Sequence, residues 1–453
     1  MRKLILLICL VLGLAATAWA DEPQPLIEEE DWTNVRPAVD PSLSGRPPAL
    51  TWWCGPYAEE VGWAVQVANR WNRLHPDQPV ELRSLPPHRL AEDVFREAIA
   101  AGHTPDLTNF LFPTNAHEFA ARGALLSLDS IPGMTEYLAQ RCGQGADRSF
   151  RSPDGRLYQF PWKGNPLMMQ YNAAMFRRYN LRPPRTYSEF LKSAKVLAAA
   201  GKAEGRPLYL WAPNPGPQFW HRYYDFYPLY LAASGGQGLL TPEGKAAFDN
   251  PAGVAVMRFL ADLWREGLAP RQNLYPDDLD QVRAFADGGL GMMLTGPWNI
   301  MQVRDLAGEE FQFDFAQLPV PDGRPAAEPV YSYGNYRNFG IFSSCKNQAL
   351  AAEFVRFATS NESDLGFLYS ALQLPVRNDL EEEPLFVLAL QQSPAALLKF
   401  AVQGRWEEPV GNVPHFNRVL QILSDELVLC AVEGKKTPEQ AVHDAARRID
   451  AGE

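Results

Sequence analysis

Strand and helix alternate from residue 49 to residue 123, and this alternation limits the fold more than any other feature of the chain. Residues 49–54 (ALTWWC) are an apolar, aromatic run of strand length, ended by Gly55-Pro56. Apolar residues then recur at three- and four-residue intervals (Val61, Ala64, Val65, Ala68, Trp71), the period of an amphipathic helix. Residues 79–85 predict a second strand, 89–101 a helix closed by Gly102, 106–110 a third strand, and 114–122 a helix closed by Gly123. Short links between such elements predict a parallel sheet covered by helices. A second series starts after the turn dipeptide Asp154-Gly155, with strands at 157–162 and 207–211 and helices at 188–200 and 251–267. Thr186 or Ser188 can cap the first of those helices, with Glu189 in its first turn. The predicted class is α/β, and usual domain sizes divide about 430 residues into two lobes.

Within the second series, the run GGLGMMLTGPWNI (288–300) points to a site. Gly288 and Gly289 can take the positive φ that stops the preceding helix, and Met292, Met293, Leu294 and Thr295 form a short buried strand. Gly296 permits a turn and Pro297 suits the start of a helix. Trp298 and Asn299 then stand at the strand's carboxyl end beside free backbone donors, where open α/β folds place small ligands.

The N-terminus reads as an export signal. Arg2 and Lys3 precede an apolar stretch over 4–14, and Ala18-Trp19-Ala20 is a small-x-small site with cleavage expected before Asp21. Cys9 lies inside the apolar run, so no lipid anchor is expected. Residues 21–48 are acidic and proline-rich and read as an extended arm. Removing residues 1–20 takes two cations and no acid from a chain of net charge −11, leaving about −13, which disfavours nucleic acid and anionic membrane as partners. Cys54, Cys142, Cys345 and Cys430 can form up to two disulfides in an oxidising compartment, with the pairing open.

No catalytic or metal pattern stands out. The seven histidines form no HExxH, and neither GxSxG nor GxxxxGK[ST] occurs. Asp277, Asp278 and Asp280 lack the glycine and bidentate Glu of a calcium loop, and carboxylates at a helix start complement its dipole; Glu59-Glu60 reads the same way. The aromatics are more suggestive. Tryptophans and tyrosines gather near strand ends at 52–57, 162, 211, 219–227, 298 and 331–336, where flat rings can cover a sugar's apolar face and nearby amides bond its hydroxyls.

Several segments, in order, resemble the extracellular solute-binding proteins of ABC importers, in the cluster that includes maltose-binding protein. Leu50-Thr51-Trp52-Trp53 resembles the opening strand and VANRWNRLHP (67–76) the end of the first helix. AIAAGHTPD (98–106) followed by FAARGALLSL (119–128), DGRLYQFPW (154–162) with Tyr171-Asn172 and Phe176, and LRPPRTYSEF (181–190) follow the family's runs. Residues 288–300 resemble its "GpWni" segment, and 338–357 its "sknpeaAweFikfl" run, ending at Leu374-Pro375-Val376-Arg377. The match spans 50–450; the arm is extra, and the lipid-acceptor cysteine of many members is missing.

The resemblance implies a periplasmic-binding-protein fold of two α/β lobes with mainly parallel sheets, 49–160 with 320–367 and 161–319 with 368–453. Chain crossings are expected near 160–163, 318–322 and 367–369; Pro161 and the 319–322 stretch are extended breaks that suit them. A ligand that touches both lobes drives hinge closure. Expected contacts are Trp53, Tyr57, Asn109, Asn115, Tyr336 and Asn338 from the N-terminal lobe. From the C-terminal lobe they are Trp162, Lys163, Asn165, Tyr223, Asp225, Trp298, Asn299 and Arg377. The implied function is capture of a mono- or oligosaccharide in the periplasm by a monomer that delivers it to a membrane-embedded ABC permease, without cofactor, metal or catalysis. The alternatives are a polyol phosphate such as glycerol phosphate, for which Lys163, Arg222 and Arg377 would matter, or a secreted carbohydrate-active enzyme.

Overall fold

The computed structural model describes residues 47–453 apart from 242, 275–277, 326 and 411–414. The expected signal peptide, all of the arm but Pro47 and Pro48, and Asp277 lie outside the described residues. In chain order the strands are β1 (Leu50–Cys54), β2 (Val80–Ser84), β3 (Leu107–Leu111), β4 (Phe160–Lys163), β5 (Met168–Asn172), β6 (Met292–Thr295), β7 (Phe313–Ala316), β8 (Ser332–Tyr333), β9 (Arg337–Ile341) and β10 (Glu407–Glu408).

The larger sheet has the order β2-β1-β3-β9-β4. Its β1–β2 and β1–β3 pairs are parallel, as right-handed strand–helix–strand units require, whereas β9 runs antiparallel to both β3 and β4. Pro161 is tolerated because β4 is an edge strand. The helix Ala58–Leu74 covers this sheet with Trp63, Ala64, Val67, Ala68 and Trp71; of the face read from the sequence, Ala64, Ala68 and Trp71 are buried, whereas Val61 and Val65 are partly buried at its margin. Gly102 ends the helix Ala91–Ala101 in the left-handed conformation, φ 73°, as a C-terminal glycine does.

The smaller sheet, β6-β5-β7, is antiparallel throughout, so parallel pairing between named strands belongs to the first lobe and to the short β8–β10 ladder. The segment 207–211 does run beside β6, but as a single bridge, Tyr209 to Leu290, with Leu210 O accepting from Met292 N at 2.6 Å. Pro207 and Pro213 flank it and remove the donors a longer ladder would need. The helices Tyr187–Glu204, Phe226–Ser234, Pro251–Arg265, Phe416–Leu427 and Pro438–Asp450 build the second core. Fully burying side chains such as Phe190 or Leu260 there contributes roughly 1.5–3 kcal/mol each.

Three stretches carry the chain between the sheets. It leaves β4 at Lys163 and enters β5 at Met168, then returns between Tyr333 of β8 and Arg337 of β9. The sequence expectation for that return, 318–322, falls inside the second lobe, because Val320 bridges Thr186 and packs on the second core with Val330 and Tyr331. Proline-rich extended chain there marks a wall of that lobe. The third passage follows the helix Asn361–Ala371, which is tied to the first lobe by the Trp63 indole donating to Ser363 O at 2.8 Å. Beyond it, Leu374 joins a cluster with Met168, Ile300 and Phe315. Asn165 knots the three passages. Its N–H donates to Gly334 O at 2.6 Å, its Nδ2 to Gln373 Oε1 at 2.9 Å, and its Oδ1 accepts from Leu374 N at 3.2 Å. Asn335 (φ 42°) and Leu372 (φ 50°) hold left-handed backbone in two of these passages, a cost that non-glycine residues bear at switch regions.

Cys54, Cys142, Cys345 and Cys430 are all free thiols, so neither of the two disulfides that the sequence permits is present. Among the described residues, no helix is long and apolar enough to cross a membrane.

Candidate ligand cleft

A cavity of about 660 Å³ lies between the lobes. Thr114, Asn115 and Glu118 of the helix Pro113–Ala121 form one wall with Arg96, Arg122 and Asp154, and His415, Phe416, Asn417 and Arg418 form the other. Its volume falls in the range of small-molecule sites. His415 holds φ 66° at the start of the helix Phe416–Leu427, which turns the chain into the cavity mouth. Arg96 grips both oxygens of Glu118, at 2.8–3.2 Å, and Arg122 adds a second cation at 3.0 Å. The Arg96 hydrogen bonds are the main reason that the Glu118 carboxyl sits below its ordinary range, and His415 adds to the effect across the cleft. The Tyr223 hydroxyl donates to Asn417 Oδ1 at 2.8 Å and also meets Thr114, so lobe touches lobe at this edge. Burial raises the Tyr223 phenol well above its usual value, keeping it a neutral donor.

Of the expected contact residues, Asn115 lines this cavity and Tyr223 stands at its edge through Asn417; the others lie outside its lining. Tyr57 follows β1 with half its surface exposed and packs on Phe110 at 5.8 Å. Trp298 is half-buried at the start of the helix Asn299–Ala307, its ring so close over Gly296 that a Cβ there would lie 2.0 Å away. Asn299 reaches back to β5, donating to Gln170 Oε1 at 2.5 Å.

The others are held in cores, in ion pairs or in the knot of crossings. Trp53 stacks on Phe95 at 6.1 Å and Trp162 on Trp63 at 4.4 Å, with the Trp162 indole donating to Asn109 O at 2.7 Å. Asn109 accepts from Trp52 Nε1 at 3.0 Å, and Asn338 donates to Gln159 Oε1 at 2.6 Å. Lys163 is ion-paired with Glu60, and burial brings its ammonium down to about 8. Asp225 caps the helix Phe226–Ser234 and pairs with Arg222 at 3.4 Å; burial lifts its carboxyl to about 6. Arg377 is shared between Asp364 and Asp379. Asn165 serves the knot, and Tyr336 packs on Phe150 at 5.1 Å beside the hinge.

The cavity-lining residues Arg96, Thr114, Glu118 and Asn417 carried no signal in the sequence, because each sits on a helix whose polar positions read as solvated. Among the described residues, no group of His, Cys, Asp or Glu side chains is placed to hold a metal ion.

Comparison with known proteins bears on the fold and the family. A Brucella abortus protein described as a binding protein is 24% identical over 407 residues, covering 88% of this chain and 90% of its own. The maltotriose-binding protein of Pyrococcus abyssi is 24% identical over 345 residues, 73% of this chain and 67% of the relative. Among solved structures, a Listeria monocytogenes protein superposes with a TM-score of 0.75 at 24% identity, over 89% of this chain and 99% of that one. The cyclic alpha-maltosyl-1,6-maltose binding protein of Arthrobacter globiformis gives 0.73 at 19% identity, over 89% and 98%. The model of the bacterial extracellular solute-binding protein family matches residues 57–364. With that match spanning most of both lobes, the chain belongs to the bacterial extracellular solute-binding proteins.

Proposed function

We propose that this protein captures a carbohydrate outside the cytoplasmic membrane, in the periplasm, and delivers it as a monomer to an ABC permease. The observation that carries the reading is the cavity walled by both lobes, since only a ligand that touches both can bias hinge closure. Its walls offer amide, hydroxyl, imidazole and guanidinium groups, which bond hydroxyls and do not demand a charged ligand. Trp298 supplies a flat ring for a sugar face, Tyr57 a second ring from the other lobe, and Asn115 and Tyr223 polar partners. Relatives named for maltotriose and for a cyclic maltosyl-maltose point to the same ligand class. The lobes would be divided at the passages around 164–167, 334–336 and 372–376.

A thermal-shift screen over mono-, di- and trisaccharides and polyol phosphates tests this, because a ligand specific to the folded state at a hundred times its Kd stabilises by ~2.7 kcal/mol. A rise in Tm with an oligosaccharide is expected. A response to glycerol phosphate alone, or turnover of the sugar, would overturn the reading. Calorimetry on Trp298→Ala is expected to show at least tenfold weaker binding, ~1.4 kcal/mol, in a protein that still folds; unchanged affinity removes Trp298 from the site.

A further inference from the structure

A second cavity, of about 650 Å³, opens on the hinge itself. Cys142 and Phe150 of the first lobe, Gly164 and Tyr336 of the crossings, and Ala401 and Glu407 of the second lobe all reach it. Glu407 lies on β10, whose partner β8 runs straight into the crossing at Gly334. Both hinge glycines make room for its carboxyl: a Cβ on Gly164 would stand 2.5 Å from Oε1, and one on Gly334 3.0 Å from Oε2. Oε2 is sealed from solvent and has no hydrogen-bond partner among the described residues.

The charged groups around it leave this carboxyl uncompensated. On its own strand stands a second acid, Glu408. From the third passage comes Arg377, already committed to Asp364 and Asp379, and from the end of the helix Ala395–Gly404 comes Arg405, paired with Glu381; Glu382 is a further acid in the wall. The Cys142 thiol, raised to about 11 by burial, is neutral. Tyr336 alone opposes the shift, its ring lying against the same two glycines and on Phe150 of the first lobe. Burial outweighs that effect and, with Glu408 adding, lifts Glu407 to about 8.

We propose that Glu407 is a positioning residue for ligand capture: the conformer in which the lobes meet holds it protonated, and a hinge motion that draws it away from Tyr336 and Gly334 releases the proton. This rests on the binding-protein reading but not on the identity of the sugar. The sign follows from linkage. A carboxyl whose value is raised in one conformer favours that conformer at low pH, and the preference is lost as pH climbs from the ordinary carboxylate value toward about 8.

The test is small-angle X-ray scattering on the ligand-free protein from pH 5.5 to 8.5, with maltotriose calorimetry across the same range. The radius of gyration is expected to grow with pH in the wild type and to stay at its low-pH value in Glu407→Gln, which remains neutral. Tyr336→Phe, which removes the opposing hydroxyl, is expected to move the transition to higher pH and serves if Glu407→Gln fails to fold. Where maltotriose binds, its Kd is expected to weaken at least fivefold over the range in the wild type and less than twofold in Glu407→Gln. A flat wild-type profile, a profile shared by Glu407→Gln, or expansion at low pH would overturn the proposal. Silence toward maltotriose with the scattering change intact would count against the sugar reading and leave Glu407 in place.

Discussion

At the scale of single residues, this chain buries many polar side chains, and their partners decide what they do. Asp364 is fully buried and receives both Arg141 and Arg377, so Asp364→Asn would leave the buried Arg141 without its carboxylate, while Arg377 keeps Asp379. Breaking such a buried cluster costs about 3–5 kcal/mol, and urea denaturation is expected to show a loss of that size with little change in sugar affinity. Arg377 is a useful measure of what the sequence could tell. Its place after Leu374-Pro375-Val376 marked it as a polar residue near a crossing, yet Asp364, thirteen residues earlier, takes its charge. Asn109, Asn165 and Asn338 raise the same difficulty. A buried amide and a ligand-binding amide have the same chemistry in one dimension, and only the distant partner distinguishes them.

At the scale of elements, glycine and proline made the boundaries legible. The strand Met292–Thr295 begins and ends where the sequence placed it, because Gly291 and Gly296 bracket it and the helix after Pro297 has nowhere else to start. Thr186 caps the helix Tyr187–Glu204, accepting from Glu189 N, as its spacing to Glu189 suggested. The misreadings also came from prolines: 207–211 has strand composition but too few donors for a ladder, and 318–322 has the look of a crossing but lies along a lobe wall. Gly296 carries a prediction of its own. Because a Cβ would stand 2.0 Å from the Trp298 ring, Gly296→Ala must push the indole aside. Sugar affinity is expected to fall at least tenfold in calorimetry while far-UV circular dichroism stays the same.

At the scale of the whole molecule, the two-lobe architecture was readable from strand–helix alternation and from the order of resembling segments, whereas the hinge was not. Its passages depend on hydrogen bonds between residues some 170 to 210 positions apart, such as Asn165 with Gly334 and Leu374, and no local pattern reports them. Asn165→Ala removes the two side-chain bonds of that knot while sparing both cores. Faster amide exchange is expected at Leu374 and its neighbours, with the strands of the larger sheet unchanged; equal protection throughout would show that the knot is dispensable.

The four unpaired thiols carry a consequence for where such a protein can mature. Burial holds Cys142 and Cys430 at about 11 and Cys345 at about 12, so almost no thiolate exists at neutral pH to attack a disulfide or an oxidant. The native state therefore owes nothing to an oxidising environment. With no disulfide between the described residues, a reductant has no crosslink to break, and the melting temperature is expected to be the same with and without one.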